Sequence, residues 1–196
     1  MLKIYLAGPD VFLPDAAEQG RRKQALCAQY GFEGLYPLDN EIQPADSRER
    51  VDLRIYRANV DMVHRADLGI VNLTPFRGPS ADVGTVFELG LLAGLRKPVF
   101  GYTNDAATLL ERIKRLGKVT KGNGRWRDLM DMTVEDFGNA DNLMIDMSLL
   151  TAGHPIVRHQ VAPNQRFHDL AGFEQCLELA GRSLSVAAPV AARHRR

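Results

Sequence analysis

The chain has 196 residues, 45% of them hydrophobic, which is enough to bury one sizeable core and close to the usual length of one domain. Its 25 basic and 24 acidic side chains leave a formal net charge of +1, so no global field is present to collect a nucleic acid polymer or an anionic membrane. Cys27 and Cys176 stand far apart without metal-ligand spacing, and no stretch nears the ~18 apolar residues of a membrane span. The amino-terminal MLKIYLAGPD runs directly into a strand pattern without a signal-peptide core, so a reducing, cytoplasmic setting is expected.

Leu2 to Ala7 reads as a strand ended by Gly8-Pro9, followed by a helix from Asp15 to Tyr30 that stops at Gly31. A second strand is expected at Gly34 to Leu38, then a charged helix from Ala45 to Arg65. Leu68 to Leu73 (LGIVNL) is continuous in apolar character, as a parallel strand covered on both faces tends to be. After the proline- and glycine-bearing loop Thr74 to Ala81, Asp82 can cap a helix to Arg96, and Pro98 to Tyr102 reads as a fourth strand. Strands alternating with helices predict an α/β fold, a doubly wound parallel sheet with ligands held at the carboxyl ends of the strands. Helices are expected at Asp105 to Leu116, Asn139 to Leu150 and Asn164 to Leu184, and a mobile surface loop at KVTKGNGRWRD. We read one domain over residues 1–184 and a frayed, Ala/Pro-rich, basic tail over 185–196.

Glu88 is the sharpest local anomaly, because it sits between Phe87 and Leu89 on an otherwise apolar helix. Such a helix should be largely buried, and a desolvated carboxylate needs a partner or a task, although a narrow solvent-facing stripe would also accommodate it. Gly84, Gly90 and Gly94 weaken the same helix, which suggests close approach by a ligand or another backbone. Asp82 is explained by capping alone, yet it stands at the crevice end of LGIVNL, and two carboxylates six residues apart could supply an acid and a nucleophile. Tyr5 reads as a core aromatic whose hydroxyl needs a partner if buried. No GxGxxG, GxxxxGK[ST] or HExxH pattern occurs, so dinucleotide, ATP and zinc readings lose their support and neither cofactor nor metal is expected.

Taken in order, KIYLAGPDVF, YPLDNEI, ANVDMVHRADLGIVNL, PFRGPSADVGTVFELG, KPVFGY and DNLMID resemble successive blocks of the nucleoside 2-deoxyribosyltransferase family. The most specific block is D-x-G-x-x-x-E-L-G. The resemblance implies a flavodoxin-like fold in which Glu88 attacks the anomeric carbon, Asp82 contacts or protonates the leaving base, and Tyr5 orients the nucleophile. It also implies that Asn59 binds sugar or base, and that Asn142 reaches the sugar of a neighbouring subunit, which makes the protein a homo-oligomer with shared sites. Gly8 belongs to the substrate-binding block, and Phe12 either stacks on the base or packs. Glu41 stands where a glutamine contacts the base in some members, so base preference stays open.

The implied reaction transfers 2-deoxyribose between a deoxyribonucleoside and a free nucleobase by a retaining double displacement. A deoxynucleoside monophosphate hydrolase on the same scaffold is the alternative. The first loop, GPDVFLPDA, carries Asp10 and Asp15 and no cation, which disfavours a 5′-phosphate. A binding module without turnover is the reading from another class.

Overall fold

The computed structural model describes residues 1–40 and 50–187, with side chains through residue 184. In chain order the elements are β1 (Leu2–Ala7), α1 (Ala16–Gln29), β2 (Phe32–Leu35), α2 (Val51–Arg65), β3 (Leu68–Asn72), α3 (Val83–Gly94), β4 (Val99–Thr103), α4 (Leu109–Leu116), β5 (Thr120–Gly122), β6 (Arg125–Arg127), β7 (Thr133–Val134), α5 (Leu143–Thr151), β8 (Val157–Arg158) and α6 (Ala171–Ala187). The main sheet is parallel, in the order β2-β1-β3-β4-β8, which is the flavodoxin-like arrangement. Strand order reverses between β1 and β3, so the binding crevice of this architecture lies at their carboxyl ends. No helix among the described residues is long and apolar enough to cross a membrane.

Strand parity divides the core into two layers. Ile4, Leu6, Leu68 and Ile70 pack with Cys27 of α1 and with Phe173 and Leu177 of α6. Tyr5, Ala7, Val71 and Leu73 face the opposite side, against Val63 of α2, Leu89 and Leu92 of α3, and Leu149 of α5. Gly69 lets α3 approach the sheet, since a Cβ there would lie 2.4 Å from the Leu92 side chain.

Several boundaries differ from the sequence expectation, each for a local reason. The second strand is Phe32–Leu35, not Gly34 to Leu38, because Pro37 lacks an N–H and opens a 3-10 turn over Pro37–Asp39. The helix expected from Asp105 starts at Leu109, where Thr108 and Glu111 form a capping box. Likewise the last helix begins at Ala171 instead of Asn164, behind a 3-10 turn at Pro163–Gln165. KVTKGNGRWRD is not a loop but part of an antiparallel sheet, β5-β6-β7. Asn123 and Gly124 both have positive φ, 50° and 76°, and join Gly122 to Arg125 as a two-residue hairpin turn. The proposed start of α2 at Ala45 and residues 188–196 of the expected tail lie outside the described residues, while 185–187, expected to be frayed, continue α6.

Candidate active site

Two helices of one layer build a cleft of about 350 Å³. Tyr56, Asn59, Val60 and Val63 of α2 face Gly84, Phe87, Glu88 and Leu91 of α3. Each set follows the i, i+3, i+4, i+7 spacing of a single helix face. Lys97, just beyond α3, donates to the carbonyls of Val63 and His64 at 2.8 and 2.6 Å and to Ala66 at 2.5 Å, pinning the carboxyl end of α2 beside it. Tyr56 and Phe87 approach across the mouth with ring centroids 6.3 Å apart.

Glu88 and Leu92 are one turn apart, so the turn that Gly69 draws onto the sheet carries Glu88 toward β1. There the fully buried Tyr5 donates its hydroxyl to Glu88 Oε1 at 2.5 Å. Burial raises the Glu88 pKa to about 7, the Tyr5 hydrogen bond opposes that rise, and the nearby Asp82 charge adds to it. Burial, with Glu88 alongside, pushes the Tyr5 phenol well above its ordinary value, so Tyr5 stays a donor. Asp82 caps α3, Oδ2 accepting from Thr85 N at 2.9 Å and from Thr85 Oγ1 at 3.1 Å. A carboxylate that ionises near neutrality inside a mostly apolar cleft can serve as a nucleophile.

The other sequence candidates separate. Asn59 lines the cleft, and its Oδ1 accepts from Asn40 Nδ2 at 3.1 Å. Gly8 does not line it. A Cβ at Gly8 would lie 2.6 Å from Asp10 Oδ2 and 2.8 Å from the Asn72 side chain, so this glycine serves loop packing. Phe12 is 55% exposed and stacks on Phe76 at 5.3 Å, with the Arg77 guanidinium 5.0 Å from its ring centroid. Asn142 caps α5, accepting from Met144 N at 3.0 Å and donating to Glu135 Oε1 at 2.7 Å, and is absent from the cleft of its own chain. Glu41 lies outside the described residues.

Three expectations need correction. The helix bearing Glu88 is not largely buried, because Val83 and Phe87 are 84% and 54% exposed. A Cβ at Gly90 or Gly94 would meet nothing within 4 Å, so close approach accounts for neither glycine. In the first loop, Asp10 does not face a ligand: it is 1% exposed and ion-paired with the equally buried Lys23. Asp15 contacts His168 at 3.2 Å. The acidic-loop argument against phosphate therefore lapses, and what remains is that no Lys or Arg among the described residues lines the cleft. Sequence reasoning missed Tyr56, Val60, Val63 and Leu91; the helical spacing of Tyr56 to Val63 was the available signal.

Parallel sheet, α2–α3 cleft and tyrosine–carboxylate pair together define a flavodoxin-like α/β protein with a carboxylate-centred site. Residues 4–144 match the family model described as nucleoside 2-deoxyribosyltransferase, and the chain belongs to that family. An uncharacterised protein of Schizosaccharomyces pombe is 30% identical over 164 residues, covering 76% of this chain and 78% of that one. A 2-deoxyribosyltransferase of Leishmania mexicana aligns over 89% of this chain and 98% of its own, at 29% identity and a TM-score of 0.60. A CMP N-glycosidase of Clostridium botulinum reaches a TM-score of 0.35 at 16% identity, over 51% of this chain and 67% of that one, too slight a likeness to bear on the reaction.

Proposed function

We propose that this protein transfers 2-deoxyribose between bases of 2′-deoxyribonucleosides, with Glu88 as the nucleophile. The observation that carries the reading is the Tyr5–Glu88 hydrogen bond at the inner wall of an apolar cleft. Ionised Glu88 attacks C1′ and the C1′–N bond breaks, its electron pair leaving with the base. Asp82 supplies the proton to that base; its cap uses Oδ2, which leaves Oδ1 for the task. A second base then attacks C1′ from the vacated side, its N–H proton passing back to Asp82, and Glu88 departs as carboxylate, so configuration is retained and kinetics are ping-pong. Apolar walls slow the competing attack of water on the glycosyl ester.

Asn59 presents its amide to sugar or base, and as an amide it cannot act as an acid. Phe12 contributes a ring at the carboxyl edge of β1. With no cation among the described residues that line the cleft, an unphosphorylated nucleoside is the preferred substrate. A second copy of the chain completes the site, a reading supported by the exposed Tyr56 and Phe87 at the mouth and by an Asn142 that does not reach its own cleft.

The test is incubation with 2′-deoxyinosine and adenine, followed by chromatography, beside Glu88→Ala and an acceptor-free control. Formation of 2′-deoxyadenosine that disappears in Glu88→Ala supports the proposal. Hypoxanthine release without a new nucleoside replaces it with hydrolysis, and undiminished transfer by Glu88→Ala removes Glu88 as nucleophile.

A further inference from the structure

We propose that a second cleft, sharing no residue with the Glu88 site, binds a small oxyanion of the phosphate class. Pro75 and Gly78 of the loop between β3 and α3 line it together with Arg112, Arg115, Arg166 and Asp105. Its volume of about 100 Å³ is several times the ~15 Å³ that one water requires, which suits a tetrahedral anion and not a nucleoside.

Three guanidiniums and one carboxylate line this space, so a positive excess faces it. Asp105 is buried and already engaged, accepting from Arg166 at 2.9 Å, Arg115 at 3.3 Å and Ala107 N at 3.1 Å. Each guanidinium carries five N–H donors, so one carboxylate leaves most of those on Arg115 and Arg166 unmatched by it. Arg112 is 3% exposed, donates to the Ala140 carbonyl and lies 3.4 Å from Asp141, while its Nε finds no acceptor among the described residues. Burial disfavours its charge, Asp141 and Asp105 oppose that effect, and Arg158 and Arg166 add to it; a bound anion acts in the same sense as the two carboxylates. Planar guanidiniums lining one cleft match the paired oxygens of a phosphate.

The cleft also adjoins the segment that leads into α3. Asp141, held by Arg112, accepts from Ser80 Oγ and from Ala81 N at 2.8 Å, immediately ahead of the Asp82 cap. A ligand held by these arginines thus bears on the loop entering the catalytic helix.

Calorimetric titration of the whole chain with inorganic phosphate, at constant ionic strength in chloride, tests the proposal without requiring turnover. Its failure would therefore leave the Glu88 chemistry untouched. The expected result is saturable one-to-one binding, weakened at least tenfold by Arg115→Gln/Arg166→Gln and unchanged by Arg21→Gln on α1. Because the double variant also loosens Asp105, phosphate protection of Arg115 and Arg166 from phenylglyoxal in the unaltered protein is measured alongside. A parallel titration with 2-deoxyribose 5-phosphate separates the sources: tighter binding assigns the cleft to a phosphate monoester, equal or weaker binding to free phosphate. Absence of saturation, full binding by the folded double variant, or absence of protection overturns the proposal.

Discussion

Replacing Tyr5 by Phe deletes one oxygen and leaves the apolar surroundings of Glu88 in place. In the native protein that hydroxyl donates to Glu88 Oε1 at 2.5 Å and holds down a pKa that burial has raised to about 7. A hydrogen bond to a charged group contributes about 1.5–3 kcal/mol, and about 1.4 kcal/mol corresponds to one pKa unit, so Glu88 in the variant should titrate near ~8–9. At pH 7 the ionised fraction would fall from about one half to roughly 1–10%, which lowers kcat/KM by about 5- to 50-fold if only the carboxylate attacks. The assay is the initial rate of base exchange between pH 5.5 and 9.5. Wild type should rise with pH through about 7, and Tyr5→Phe should rise one to two pH units later, recovering most of its activity at the alkaline end. A profile with an unmoved midpoint, or one displaced toward acid, would refute the electrostatic role assigned to Tyr5.

Three further outcomes follow from the same geometry. The folded-state pKa of Glu88 lies above its ordinary value of 4.5, so its contribution to stability is fully present below that value and is lost as pH rises through about 7. Glu88→Gln, which keeps a neutral side chain, should therefore be about 2–3 kcal/mol more stable than wild type at pH 8 and no more stable at pH 4.5, as read by thermal unfolding; a pH-independent difference would contradict this. Lys23→Met should destabilise by about 3–5 kcal/mol in urea unfolding because it strands the buried Asp10 charge. Adding Asp10→Asn should recover part of that loss, whereas an additive further loss would show that the pair is not coupled. Mixing inactive Glu88→Ala with inactive Asn142→Ala should restore base exchange if a neighbouring copy supplies Asn142; persistent inactivity despite demonstrated subunit exchange would rule out a shared site.

Much of the main sheet was legible in local pattern. The apolar runs at Leu2–Ala7 and Leu68–Asn72 became its central strands, and the Asp82 cap began α3 as its side chain allows. Glu88 stood out because a carboxylate within an apolar helix conflicts with its surroundings. Other signals were present and passed over: Thr108 with Glu111, and Asn123-Gly124, whose left-handed backbone turns a supposed loop into a hairpin. β8, only two residues long, carried no periodicity to read.

Sequence by itself determined which segments could be strands or helices and which carboxylate was out of place, since periods of 2 and 3.6 residues and capping chemistry act over a few positions. Only the tertiary structure decided what those groups meet. Tyr5 and Glu88 are 83 positions apart and come together through strand parity, the β1–β3 pairing and the close approach of α3 at Gly69. Asp10, read from the first loop as a charge facing a ligand, is an internal ion because Lys23 of α1 folds over it. Such contacts depend on the order of strands in the sheet and the side on which each helix returns, and those are properties of the whole chain's packing.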